Sequence, residues 1–194
     1  MRKIICITGP DGSGKSTLIQ SLLKVHSFYV ASIWDGMKTD ENAVLFNSKL
    51  NVDTYLCNLQ PDARLLFLAH AIKISIDKAL DSNQDILIDS YNYKYFASEL
   101  TLGASQKLAD SLLDVFVVPD KTFYLVIDSN TTKLRKTKYS RYECGLVKHA
   151  TTESFLEFQL KTQNYWNTFV KPNWIKINAK ENEEVVLKNV LTHL

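Results

Sequence analysis

The chain has 194 residues, 45% of them hydrophobic and 23% charged, a balance that supports a sizeable core and argues against a disordered chain. Its formal net charge of +2 provides no global field for nucleic acid, so electrostatic recognition has to be local. Three cysteines, Cys6, Cys57 and Cys144, lie far apart without a CxxC pair, the pattern of reduced thiols in a cytoplasmic protein.

The N-terminus carries Arg2 and Lys3, but the apolar run behind them is too short for a signal peptide. Residues 3–8 read instead as a buried β-branched strand ended by glycines, with Cys6 in the core. Residues 16–25 follow with Leu18, Ile19, Leu22, Leu23 and Val25 at helical spacing. Residues 28–33 form a second short apolar run, and 35–53 are polar and mixed, without an assignment. Residues 62–80 repeat apolar side chains near a 3.6 period behind Pro61, which marks a helix start. A third strand at 85–89 ends in Asp89, a helix fits 105–115, and a fourth strand covers 121–127. An aromatic-rich helix at 152–170, a fifth strand at 174–177 and an amphipathic helix at 181–194 complete the chain. The strands are continuous apolar runs alternating with helices. That pattern predicts an α/β fold, a five-stranded parallel sheet between helices, forming a single domain over 1–194. No apolar stretch is long enough to span a bilayer.

Gly9-Pro10-Asp11-Gly12-Ser13-Gly14-Lys15-Ser16 fits G-x-x-x-x-G-K-[ST] between a strand and a helix, the context that phosphate-binding loop requires. Its glycines let backbone N–H groups turn toward phosphate oxygens, and the following helix adds its positive end. The motif predicts ATP bound with Mg²⁺ along Gly9, Asp11, Gly12, Ser13, Gly14, Lys15, Ser16 and Thr17. Lys15 would reach the β- and γ-phosphates, and the Ser16 hydroxyl would reach the metal. Asp89, at a strand end on the same sheet edge, is the candidate second metal ligand; a turn-capping role is its alternative.

These features, with four others, resemble the thymidylate kinase family. Gly-Pro-Asp-Gly-Ser-Gly-Lys-Ser-Thr at 9–17 is similar to that family's loop, and Leu65-Leu66-Phe67-Leu68-Ala69 to its Leu-Leu-Phe-x-Ala helix. Ile88-Asp89-Ser90-Tyr91 stands where the family has Asp-Arg-Tyr. Pro119 to Leu125 resembles its fourth strand, Arg141-Tyr142-Glu143 its lid exit, and Asn178-Ala179 its adenine-side loop. The resemblance implies a P-loop nucleoside monophosphate kinase fold, ATP as donor, a nucleoside monophosphate such as dTMP as acceptor, a role in nucleotide biosynthesis and a homodimer. It implies that Asp11 lies near the acceptor sugar or the metal, that Phe67 stacks on the acceptor base, and that Arg135 and Arg141 flank a lid at 133–150.

Three departures fall on the acceptor side. The arginine of Asp-Arg-Tyr is Ser90, the helix arginine four residues after Phe67 is Ala71, and Trp34-Asp35-Gly36 replaces an Arg-Glu-Pro-Gly loop. A phosphate dianion wants fixed cationic partners. Lys94 is the candidate replacement, with a solvated surface lysine as the alternative. Tyr91, Tyr93, Tyr95 and Phe96 around it either line an acceptor pocket or pack in the core.

Residues 133–141 carry five positive charges and no negative one, which suits a lid whose arginines stabilise charge building on a transferring phosphoryl group. The plainer reading is a solvated face. His26, His70, His149 and His193 have no metal spacing. The leading expectation is therefore an ATP-dependent nucleotide kinase acting with Lys15, Arg135 and Arg141, binding neither nucleic acid nor membrane. A nucleoside or other small-molecule kinase, with Asp89 or Asp11 as base, and a non-catalytic ATP-binding protein are the alternatives.

Overall fold

The computed structural model describes residues 2–37 and 48–194. Most of the segment at 35–53 that had no assignment falls outside them. Five strands, β1 (Ile4–Thr8), β2 (Tyr29–Ala31), β3 (Ile86–Asp89), β4 (Lys121–Val126) and β5 (Ile175–Asn178), form one sheet in the order β2-β3-β1-β4-β5. Every pairing is parallel, as the continuous apolar runs predict. β2 is shorter than the run that announced it, and β5 begins one residue later than expected.

Alternation along β1 separates two cores. Ile5 and Ile7 pack with Leu87, Phe123 and Leu125 under α1 (Lys15–Leu23) and α9 (Glu183–Leu191). Cys6, fully buried, faces the opposite layer, built on α4 (Pro61–Leu80), α5 (Tyr91–Thr101) and α8 (Thr152–Phe169). α4 starts with Pro61 in its first turn, where a missing N–H is harmless. α8 starts with a reciprocal Thr151–Ser154 capping box. α6 (Gln106–Leu113) lies within the helix expected at 105–115.

Several elements have no clear trace in the periodicity. α5 is buried on almost every face, so it lacks the polar stripe that reveals a surface helix. α2 (Ile33–Met37) is too short to show a period. α3 (Lys49–Cys57) mixes polar and apolar residues, and Ser48 caps its start by accepting from the Asn51 N–H. α7 (Ser129–Arg135) absorbs the first part of the basic stretch.

The register sets Ile7 of β1 beside Asp89 of β3. The loop after β1 and the acidic end of β3 therefore share one carboxyl edge of the sheet, where ligands of such sheets bind. Among the described residues, no helix is long and apolar enough to cross a membrane.

Candidate functional site

A cleft of about 1130 Å³ opens along that edge. Residues 11–17 form its floor, Asp89, Lys94 and Tyr95 one side, and Arg135 to Glu143 a rim. Gly9 lies behind the loop and supports it with its carbonyl.

The loop itself folds tightly. Ser13 N–H donates to the Pro10 carbonyl at 3.3 Å, and the Lys15 ammonium donates to the carbonyls of Gly9 (3.0 Å) and Pro10 (2.8 Å). Gly12 has φ +80, and a Cβ there would stand 2.4 Å from the Thr132 methyl on α7. A side chain is excluded by backbone angle and by space alike. The Ser13 hydroxyl oxygen is buried with no partner among the described residues, a polar atom a phosphate oxygen would satisfy. Ser16 and Thr17 are exposed on the cleft floor.

Asp11 forms the electrostatic centre. Its carboxylate pairs with the Lys94 ammonium at 2.6 Å. Burial pushes the Asp11 carboxyl up, but Lys94 and Lys15 outweigh it and hold it below the usual range. Burial likewise opposes the charge on Lys94, yet Asp11, with Tyr95 and Glu143 adding smaller effects, keeps the ammonium well above its ordinary value. Lys15 moves the other way, down to about 8, first because of burial and then through repulsion from Lys94, with Asp11 and Asp89 opposing. Lys94 is therefore no solvated surface lysine.

Asp89 is held by the backbone behind it. Ser90 and Tyr91 both have left-handed φ, 71° and 49°, a strained pair costing about 1–3 kcal/mol each. Ser90 N–H donates to Ile7 O at 2.9 Å, and Thr8 Oγ1 donates to Ser90 O at 2.9 Å, which locks the turn. The Ser90 hydroxyl donates to Asp89 Oδ1 at 2.9 Å. Asp89 and, five residues on, Lys94 line the same cleft on either side of this turn.

Among the described residues no cluster of three acidic, His or Cys side chains is present. One carboxylate and one hydroxyl nevertheless suit Mg²⁺, which keeps several waters and takes further oxygens from substrate phosphates. Asp89 and Ser16, both on the cleft wall, provide that donor set.

Two acceptor residues expected from the sequence lie elsewhere. The Tyr91 ring enters the core, edge-on to Tyr93 (5.4 Å) and Phe116 (5.7 Å), and its hydroxyl donates to Val117 O at 2.7 Å. Tyr91 begins a helix whose first turn points behind the sheet edge, so it lines a separate small pocket; Tyr93 and Phe96 are core as well. Of the four aromatics only Tyr95 lines the cleft. Phe67 sits edge-on to Tyr55 at 5.1 Å, and the neighbouring Leu68 lines the wall in its place, because adjacent helix positions diverge by about 100°.

The basic stretch divides. Arg135 ends α7, and its guanidinium donates to the carbonyls of Ala179 (2.5 Å), Lys180 (3.1 Å) and Glu181 (3.4 Å), so it clamps the loop between β5 and α9. Arg141 donates from Nε to Val147 O at 3.0 Å and lines the opposite rim. The segment between them is fastened at several points. Lys136 pairs with Glu143 at 2.7 Å, Tyr139 stacks on Phe155 at 4.6 Å, and Asp53 accepts from the backbone N–H groups of Arg141 (3.3 Å) and Tyr142 (2.9 Å).

Behind that rim lies a polar network the sequence reading missed. Arg64 on α4 and Glu99 on α5, both fully buried, pair at 2.7 Å. The Tyr142 hydroxyl donates to Glu99 at 2.8 Å. Burial raises the Glu99 carboxyl to about 7 despite both partners. The only warning in the sequence was a charged residue on the apolar face of each helix. Trp34 and Lys49, also missed, line the far end of the cleft.

A family model for thymidylate kinase matches residues 7–190. A thymidylate kinase from Mycoplasmopsis agalactiae is 23% identical over 208 residues, covering 98% of this chain and 93% of that relative. Among solved structures, the Candida albicans thymidylate kinase, described for its broad substrate specificity, superposes with a TM-score of 0.75 at 21% identity, over 99% of this chain and 90% of its own. The deoxyadenosine kinase from M. mycoides, solved with bound dATP, superposes with a TM-score of 0.68 at 15% identity, over 99% and 98%. The shared fold is that of P-loop nucleotide and nucleoside kinases.

Proposed function

We propose that this chain, which belongs to the thymidylate kinase family and is a phosphotransferase, moves the γ-phosphoryl group of ATP in line to a nucleoside monophosphate, with dTMP as the family's acceptor. The observation that carries the acceptor side is the Asp11–Lys94 pair at 2.6 Å. It puts a cation in the cleft where Ser90 and Ala71 supply none, next to the loop that would hold the donor.

In this reading residues 11–17 cradle the donor phosphates through backbone N–H groups, with Gly9 shaping the loop. Lys15 releases its own loop carbonyls and turns to the β- and γ-oxygens. Ser16 and Asp89 hold Mg²⁺, which neutralises charge on the phosphates when bound. Arg141 approaches the transferring group from the rim, and Arg135 holds the adenine-side loop. Asp11 faces the acceptor sugar, and Lys94 faces its phosphate. No strong base is needed, because the attacking atom is already a phosphate oxygen. The whole chain acts as one kinase domain whose rim at 133–150 closes the site. The reading carries with it a cytoplasmic protein, from the unpaired cysteines, and a homodimer, from the resemblance to the family.

The test is ADP release from ATP·Mg²⁺ against a panel of nucleoside monophosphates and the matching nucleosides, with Lys15→Ala as blank. Turnover with dTMP or another monophosphate, absent in the blank, supports the reading. Turnover with nucleosides alone replaces it by a nucleoside kinase, a second reading favoured by the absence of arginine at 71 and 90. There Asp89 or Asp11 takes the hydroxyl proton.

A further inference from the structure

We infer that Trp34 is the aromatic platform on which the acceptor's base stacks, the place the sequence had assigned to Phe67. This deepens the nucleotide-kinase reading and rests on it.

The inference starts from Gly36. α2 lies flat on α4 there, and a Cβ on Gly36 would stand 1.8 Å from the Ala71 carbonyl oxygen. Ala71 is itself buried, and α2 packs on its backbone. Two of the departures from the family pattern, the helix position 71 and the loop after β2, therefore meet at one contact.

Seated this way, α2 delivers Trp34 to the cleft. The indole is half-buried and shares its wall with Ile33, Met37, Val52, Leu56 and Leu68. Phe67 is turned edge-on to Tyr55, off that wall. The Lys49 ammonium lies 5.4 Å from the centre of the Trp34 ring. Lys49 is itself exposed, so the side of the ring it covers is the solvent side. A flat heteroaromatic ring holds such a surface better than an exposed ammonium does, and it does so largely irrespective of which base it is. The apolar surroundings and the opening onto Asp11 and Lys94 point to a nucleobase whose phosphate lies toward the loop.

Intrinsic fluorescence isolates this residue, since the other tryptophans, Trp166 (2% exposed) and Trp174 (7%), lie in the core away from the cleft. The full chain is titrated with dTMP, dAMP and thymidine. A saturable quench is expected in the wild type and is lost in Trp34→Phe. In steady state Trp34→Ala raises the acceptor KM on the order of 10–100-fold, leaves the ATP KM within about twofold, and Trp34→Phe restores most of the loss. A quench that persists in Trp34→Phe, no quench by any of the three, or an unchanged acceptor KM in Trp34→Ala overturns the platform. The two readings separate cleanly. A Trp34-dependent quench without turnover of any monophosphate keeps the platform and refutes the monophosphate acceptor; monophosphate turnover without the quench does the reverse.

Discussion

Residues 9–17, the proposed donor side of the cleft, are one unbroken stretch of chain, whereas the proposed acceptor side collects Trp34, Lys94 and Arg141 from three distant segments. In that reading the donor groups are mostly backbone N–H groups, in a loop shaped by left-handed glycines and by the helix it opens. On the acceptor side every working group is a side chain placed by packing: α2 on α4 at Gly36, the strained turn at Ser90 and Tyr91, and the Glu99–Tyr142 bond behind the rim. A local site tolerates change in the rest of the fold. A collected site drifts as its supports drift, and here all three departures from the family pattern fall on it.

The largest expected effect comes from removing a support on the collected side. Glu99→Ala leaves the buried Arg64 guanidinium and the Tyr142 hydroxyl without their acceptor, which costs about 3–5 kcal/mol in chemical denaturation. Its pH dependence sharpens the point. Glu99 is a carboxyl raised by burial to about 7 from an ordinary 4.5, so its contribution to stability is full below that ordinary value and lost as pH rises through about 7. Wild-type Tm should fall between about pH 5 and pH 7 on this account, and the slope should flatten in Glu99→Ala. An unchanged slope would remove Glu99 as its source.

Next in size is the local side. Lys15→Ala should lower kcat on the order of 10²–10³-fold while leaving thermal stability near wild type, because among the described residues its ammonium donates to its own loop carbonyls alone. Lys94→Ala should raise the acceptor KM about 10–100-fold, the equivalent of one charge-assisted hydrogen bond, and Lys94→Arg should recover part of it. An equal rise in the ATP KM would show that Asp11 and Lys94 serve the donor instead, and would break the division drawn above. The smallest effect is expected from Gly36→Ala. The added Cβ pushes α2 off α4 at a cost of about 1–3 kcal/mol, and the acceptor KM should rise more than the ATP KM.

The legibility of the molecule follows the same division. The sheet was readable because both its faces are covered, which leaves continuous apolar runs bounded by turns. The strand–loop–helix around residues 9–16 was readable because its motif is contiguous. α5 was not, since burial on all faces erases the periodic contrast that reveals a helix. Tyr91 and Phe67 were misplaced for a related reason. Sequence puts a residue near a site, but a rotation of about 100° along a helix decides which neighbour faces it. Lys94 was named either as a replacement charge or as a solvated surface lysine; its 2.6 Å approach to Asp11 excludes the second, and the first remains the proposal.

What the sequence determined by itself was therefore the parallel α/β layering, the phosphate loop with Lys15 and Ser16, and the acidic strand end at Asp89. Hydrophobic period and backbone angle are local properties, and they act over a few residues. Only the tertiary structure decided that Gly36 lies against Ala71, that Trp34 rather than Phe67 reaches the cleft, and that Arg64, Glu99 and Tyr142 meet behind its rim. Those contacts join residues separated by 35 to 43 positions, and their existence depends on how buried surfaces fill space together.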